Sequence, residues 1–272
     1  MTSVVAITGG ARGIGLAVAR RYADRGARVA IGDVDGDGAQ EAARRLEGAR
    51  GYTLDVGDPV QFERFVADVE ADMGPIDVLV NNAGIMPIGP LLDQSPELAR
   101  RVMDINVLGP LNGMRAILPR MQARGGGRIV NVASTAGRVS GPGAALYAAS
   151  KHAVVGLSDG VRQEFGRDGI VITTVLPSFT DTELISGTSG LRGIRTLTPD
   201  RVAVALVRGV ERGRPFVVLP MSARVSLWLT ALLPTRVTDA VLRLTGGDRV
   251  FLDVDRAGRE AYDRRIRARD GD

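Results

Sequence analysis

Seven short segments, most of them near-continuous runs of Val, Ile, Leu and Ala, alternate along this chain with longer stretches of helical period. The short segments fall at 4–8, 28–33, 51–55, 77–81, 128–133, 170–176 and 216–219; the helical ones fill 14–25, 37–47, 59–73, 96–122, 145–167 and 199–212. Strands without a polar alternate face must be covered on both sides, as in a parallel sheet held between two layers of helices. Alternating β and α units joined by right-handed crossovers build an open, doubly wound, seven-stranded parallel α/β sheet. No internal repeat, low-complexity tract or long linker breaks the rhythm. Residues 1–220 are therefore expected to form one domain, with a helical extension over 221–272 packed on it.

Composition removes several kinds of chemistry. The 272 residues are 44% hydrophobic, ample for a sizeable core, and include no cysteine, so disulfide and thiolate chemistry are excluded. One histidine and no clustered ligands argue against a zinc or iron site, and no metal is expected. Net charge is only +4, and basic residues interleave with acids except for a mild excess over 256–269, which gives little support to nucleic-acid binding. The chain enters its first apolar segment at Ser3 with no basic leader. Its apolar stretch at 225–235 is far short of the roughly 20 residues that span a bilayer. A soluble, cytoplasmic protein is the expectation.

The first strand runs into Thr8-Gly9-Gly10-Ala11-Arg12-Gly13-Ile14-Gly15 and then directly into a helix. Glycines spaced G-x-x-x-G-x-G let the backbone turn and approach a pyrophosphate, which rests on the positive end of the helix. Asp33 closes the second strand, where a carboxylate accepts hydrogen bonds from ribose hydroxyls and repels a 2′-phosphate. That favours NAD; Arg12 beside the loop pulls toward NADP, which stays open as the alternative. A turn or helix-cap aspartate is the plainer reading of Asp33. Asp55, expected to end the third strand, sits at the same sheet edge, within reach of an adenine.

Of 35 basic residues, 34 are arginine; the exception is Lys151, four positions after Tyr147. At i and i+4 on a helix the two side chains are neighbours. Arginine stays protonated in a wide planar fork, whereas lysine is a compact charge whose pKa moves on burial. A buried ammonium beside a phenol favours the phenolate and draws its pKa down toward working pH, making the tyrosine a general acid/base. A leftover surface lysine is the bland alternative. His152 points about 100° away around the helix and reads as structural.

Taken together, Thr8–Gly15, Asn81-Asn82-Ala83-Gly84, Asn106, Ser134, and Tyr147 with Lys151 resemble the short-chain dehydrogenase/reductase family, from Ser3 to about Pro220. The resemblance implies a Rossmann-like fold and an Asn106-Ser134-Tyr147-Lys151 tetrad. In it Tyr147 exchanges a proton with the substrate oxygen, and Lys151 lowers the phenol pKa and binds the nicotinamide ribose. Ser134 donates to the substrate oxygen, and Asn106 holds a water in a proton relay. It further implies cofactor contacts at Gly9, Arg12, Gly13, Ile14, Gly15, Asp33, Asp55, Val56, Asn82, Ala83, Gly84, Tyr147, Lys151, Pro177 and Thr182, with Asn81 steadying the central sheet. After Pro177 the family's usual glycine is replaced by Ser178.

The expected activity is hydride transfer between NAD(P)(H) and a secondary alcohol or ketone. A Gly-, Ser- and Thr-rich stretch at 178–197 reads as a mobile lid whose Phe179, Leu184, Ile185, Leu191 and Ile194 join Ile85, Met86 and Ile88 in pointing to a lipophilic small-molecule substrate. The same apolar side chains would also serve as plain core packing. The tail, helical over 225–244 with a polar helix near 256–269, has three candidate roles: covering the pocket, contacting a second subunit, or lying on a membrane surface. The family habit implies a homodimer or homotetramer through the helices at 96–122 and 145–167. A non-catalytic nucleotide-binding scaffold and a peripheral membrane protein acting through its tail are the alternatives.

Overall fold

The computed structural model describes residues 2–190 and 196–267; Leu191 and Ile194 of the lid fall outside the described residues. Strands β1 (Val4–Thr8), β2 (Arg28–Asp33), β3 (Ala49–Thr53), β4 (Val78–Asn81), β5 (Gly127–Val132), β6 (Ile170–Pro177) and β7 (Phe216–Leu219) form one sheet. Every pairing is parallel, in the order β3-β2-β1-β4-β5-β6-β7. Alternation splits each strand between two cores. Val5 and Ile7 of β1 face α1 (Gly13–Ala23), α2 (Gly36–Arg44) and α7 (Pro199–Glu211). Val4 and Ala6 face α3 (Pro59–Met73), α5 (Gly109–Ala123) and α6 (Ala145–Phe165). Fully buried side chains such as Ile7, Ile31, Phe62 and Ile129 each contribute about 1.5–3 kcal/mol of transfer free energy.

Helix starts are written locally. Asp58-Pro59, Ser95-Pro96 and Thr198-Pro199 each place a side-chain oxygen on free N–H groups of the first turn, with proline as the first helical residue of α3, α4 (Pro96–Met103) and α7. Helix α1 departs from this rule. Its cap is Arg12, with no side-chain hydrogen bond and no acid in the first turn.

Several element ends shift by one to three residues from the sequence reading, and three differences stand out. Strand β3 covers Ala49–Thr53 instead of 51–55, because its only neighbour is β2, which sets the register Val29↔Ala49 through Asp33↔Thr53. Asp55 therefore lies two residues beyond the strand. The helix expected over 96–122 is interrupted by a π-helical turn at Asp104–Leu108 between α4 and α5. Gly109 and Pro110 follow it, and Pro110 has no N–H to offer the carbonyl four residues back. The tail helix expected over 225–244 is two helices, α8 (Met221–Leu232) and α9 (Thr235–Leu244), because Pro234 drives Leu233 to extended dihedrals. Helix α10 (Arg256–Arg267) follows.

Between β4, β5 and α6 runs a buried polar crossbar. The Asn81 amide donates to Asn131 Oδ1 at 2.8 Å, the Asn131 amide donates to Ser158 Oγ at 2.8 Å, and that hydroxyl donates to the Val154 carbonyl at 2.6 Å. Asn131→Ala strands both neighbours in the core, so unfolding in urea is expected to show a loss of about 2–4 kcal/mol.

Candidate active site

Strand order reverses at β1: the chain leaves β1 for β2 and β3 on one side, then crosses to β4 on the other. The connections at the carboxyl ends of β1 and β4 diverge there, and open α/β sheets bind ligands in such a crevice. A cavity of about 1130 Å³ occupies it. Gly9, Arg12, Gly13, Ile14, Asp33, Asp55, Val56, Asn82, Ala83, Gly84, Ser134, Tyr147, Lys151, Pro177 and Thr182 all line it. Two expected site residues, Gly15 and Asn106, do not. Gly15 lies beneath the loop, where an added Cβ would sit 2.2 Å from the Gly9 carbonyl oxygen. Asn106 is fully buried behind the wall. Asn81 is likewise in the crossbar, away from the cavity.

One threonine holds the glycine loop. Thr8 Oγ1 accepts from the backbone N–H groups of Asn82 and Ala83 at 3.0 and 3.1 Å, and the Asn82 amide donates back to the Thr8 and Gly9 carbonyls at 2.9 and 3.0 Å. Asp33 completes the frame. One carboxylate oxygen accepts from Ala11 N–H and the other from Asp35 N–H, both at 3.1 Å. The aspartate thus shapes the loop as well as lining the cavity. Gly9 and Gly13 have φ of +64° and +56°, open to glycine at little cost. Arg12, the cation beside the loop, is paired with Asp35 and lies 3.7 Å from Glu183.

At the other end, Ser134 follows β5 in extended backbone, its hydroxyl accepting from Ala136 N–H at 3.1 Å and donating to the Pro177 carbonyl at 3.4 Å. Tyr147 and Lys151 project from one face of α6, both buried, with Nζ 5.7 Å from the phenol ring centre. The ammonium donates to the Val132 carbonyl at 3.0 Å. Between them Ser150 donates to the Tyr147 carbonyl and accepts from the Asn106 amide. Asn106 also clasps Ile85, donating to its carbonyl and accepting from its N–H, each at 2.8 Å. Gly84 passes through the gap: a Cβ there would meet Asn106 Oδ1 at 3.2 Å and Lys151 Nζ at 3.5 Å. His152 is exposed and hydrogen-bonds the Ala148 carbonyl.

Burial dominates the electrostatics, and here the sequence expectation is corrected. Desolvation pushes the Tyr147 phenol up to about 12, opposed by its hydrogen bond with Ser134. Desolvation likewise takes Lys151 down to about 8. The dry wall shifts both groups toward their neutral forms.

Several contributors escaped sequence reasoning. Thr8 and Ser150 carry the hydrogen bonds just described. Phe251 stacks on Phe179 of the segment after β6 with ring centres 5.6 Å apart. From α10, Tyr262 accepts from Met86 N–H at 2.8 Å through its hydroxyl. Arg259, only 2% exposed, donates to the carbonyls of Leu184, Ser186 and Met86 and pairs with Asp263. Tyr262 and Ile266, four apart, were the available signal, too sparse within an otherwise polar helix.

The family model described as short chain dehydrogenase matches residues 3–189. The chain belongs to the short-chain dehydrogenase family. Among curated relatives of this short-chain dehydrogenase, the probable oxidoreductase EphD of Mycobacterium tuberculosis is 36% identical over 237 residues, 78% of this chain. The match spans only 40% of that protein's length. Galactitol 2-dehydrogenase of Agrobacterium fabrum is 39% identical over 66% of this chain and 71% of its own. The 1-deoxy-11-beta-hydroxypentalenate dehydrogenase of Streptomyces exfoliatus is 36% identical over 71% of this chain and 72% of its own. A crystal structure of a short-chain dehydrogenase/reductase from Burkholderia phymatum in complex with NAD superposes with a TM-score of 0.78 at 24% identity, covering 84% of this chain and 92% of the other.

A proton held by the unfolded chain but released by the folded one makes stability climb with pH. For Lys151 that window runs from about 8 to 10.5, and below it the buried charge weighs fully against the fold. Lys151→Met is therefore expected to stabilise the protein at pH 7 by on the order of 1–3 kcal/mol. The gain should fade as pH rises through that window in thermal melts of the two proteins.

Proposed function

We propose that this short-chain dehydrogenase moves a hydride between NAD and a secondary alcohol or ketone of lipophilic character. The observation that carries the reading is the burial of Ser134, Tyr147 and Lys151 in one wall of a cavity whose far end is the glycine loop. The loop end fits a dinucleotide. Gly9 and Gly13 leave a cradle without side chains, and the uncapped start of α1 has N–H groups available for a pyrophosphate. Asp33, Asp55 and Asn82 would take the adenosine half, with Ala83 and Gly84 toward its ribose and Pro177 and Thr182 toward the nicotinamide. Bound there, NAD supplies the carbon that accepts or gives the hydride.

The chain's own groups manage the proton and the charge. Tyr147, protonated at neutral pH, would donate to the carbonyl oxygen during reduction and take the proton back during oxidation. Ser134 would hydrogen-bond the same oxygen as charge develops on it. Lys151, still mostly charged at pH 7, would steady the phenolate left behind. The Asn106 amide is fully engaged, so the relay water would rest on its backbone carbonyl, whose α-helical donor Pro110 cannot provide. Ketone reduction should therefore hold steady near neutral pH and fall above about 8, as Lys151 loses its proton.

Apolar walls support the lipophilic substrate: Ile85, Met86, Val139, Leu184, Leu242 and Phe251 face the cavity. The pentalenate-type relative acts, by its name, on a compound of that kind, whereas the galactitol enzyme takes a polyol. NAD is preferred over NADP because Asp35 and Glu183 flank Arg12 and Asp33 lines the same end of the cavity, leaving little net attraction for a 2′-phosphate.

The direct test is NADH formation by purified protein across secondary alcohols, hydrocarbon-rich compounds against polyols. Lys151→Arg should lower kcat by at least about 10²-fold, since a guanidinium cannot occupy the compact ammonium site; near-normal turnover would sink the proposed role. Asp33→Asn keeps an acceptor for Ala11 N–H while removing the charge. Fluorescence titration should show the ratio of NADPH to NADH dissociation constants narrowing by at least about tenfold.

A further inference from the structure

We propose that α8 and α9 dock this protein on an anionic lipid surface. The inference is independent of the hydride-transfer reading. In α8, Met221, Val225, Leu229 and Leu232 recur at helical spacing and are 67, 59, 55 and 73% exposed. In α9, Val237, Val241 and Leu244 continue the stripe at 41, 47 and 82%. Two consecutive helices with apolar stripes turned to solvent are far from the scattered single exposures of an ordinary surface.

The charges choose among occupants. Arg224, Arg236 and Arg243 are exposed on the same two helices, and Asp239 is the only acid between residues 221 and 244. In a two-fold contact between copies of this chain, the same patch meets itself, which sets three arginines against three with little acid to offset them. A layer of negative headgroups over hydrocarbon satisfies both features, the arginines at headgroup level and the aliphatic side chains beneath. No helix among the described residues is long and apolar enough to cross a membrane, so these two would lie in its plane. Leu242, on the opposite side of α9, lines the large cavity, so this helix lies between the docking face and the chamber.

The test is flotation of the full chain with vesicles of phosphatidylcholine, with and without about 30% phosphatidylglycerol. Binding is expected to the anionic vesicles, at least about tenfold above the neutral ones, and to weaken at high salt. Leu229→Ser with Leu232→Ser and Leu244→Ser should abolish it. The triple variant Arg224→Gln, Arg236→Gln, Arg243→Gln should reduce it at least about tenfold at unchanged melting temperature. This surface variant keeps the test decisive if the apolar one misfolds. Equal recovery with both vesicle types, no recovery at all, or insensitivity to the arginine substitutions would overturn the proposal. So would a dimer in sedimentation that the serine substitutions dissolve while vesicles leave the protein unbound.

Discussion

The hydroxyl of Thr8 is the pin on which this architecture turns. At the place where the sheet changes direction, nothing in the β-ladder itself holds the loops after β1 and β4 apart at a fixed spacing. The threonine accepts two N–H groups from the β4 loop, and Asn82 returns two bonds to the β1 loop. Four short bonds across one crevice fix the mouth in which the glycine loop, Asp33 and the α6 side chains meet. Because these groups sit at strand ends, the rigidity of the sheet passes to the cavity wall with few flexible links between them.

The wall that holds Tyr147 and Lys151 comes at a cost to the fold. A lysine with 4% exposure sits against one carbonyl and no carboxylate, and a tyrosine beside it is almost as dry. Neither position improves packing as a leucine would. Retaining an ionisable pair where burial works against both charges is the pattern expected of a functional site.

How much of this could be read from the sequence depended on how local the cause was. Strands β1, β2 and β7 coincide with their apolar runs, and the start of α3 is written in Asp58-Pro59. The place of the glycine loop after β1, of Asp33 at the end of β2, and of Tyr147 and Lys151 on one face of α6 was legible because each follows from a short local pattern. Strand β3 was misplaced because an edge strand takes its register from its neighbour. The π-helical turn carrying Asn106 was hidden because an apolar helical period continues straight through it. The lowered phenol pKa was misjudged because spacing shows which charges are near but not how dry their surroundings are. Thr8, Phe251 and Arg259 work through partners 70 to 175 positions away or so, beyond the reach of pattern reasoning.

Arg259 ties together carbonyls from the segment after β4 and from the lid after β6, although it lies in α10, the last described helix in chain order. During synthesis the glycine-loop end of the crevice can assemble from the first half of the chain while the opposite end still lacks its fastener. A nascent chain would form the glycine-loop end of the crevice early and fasten the opposite end only once α10 has left the ribosome.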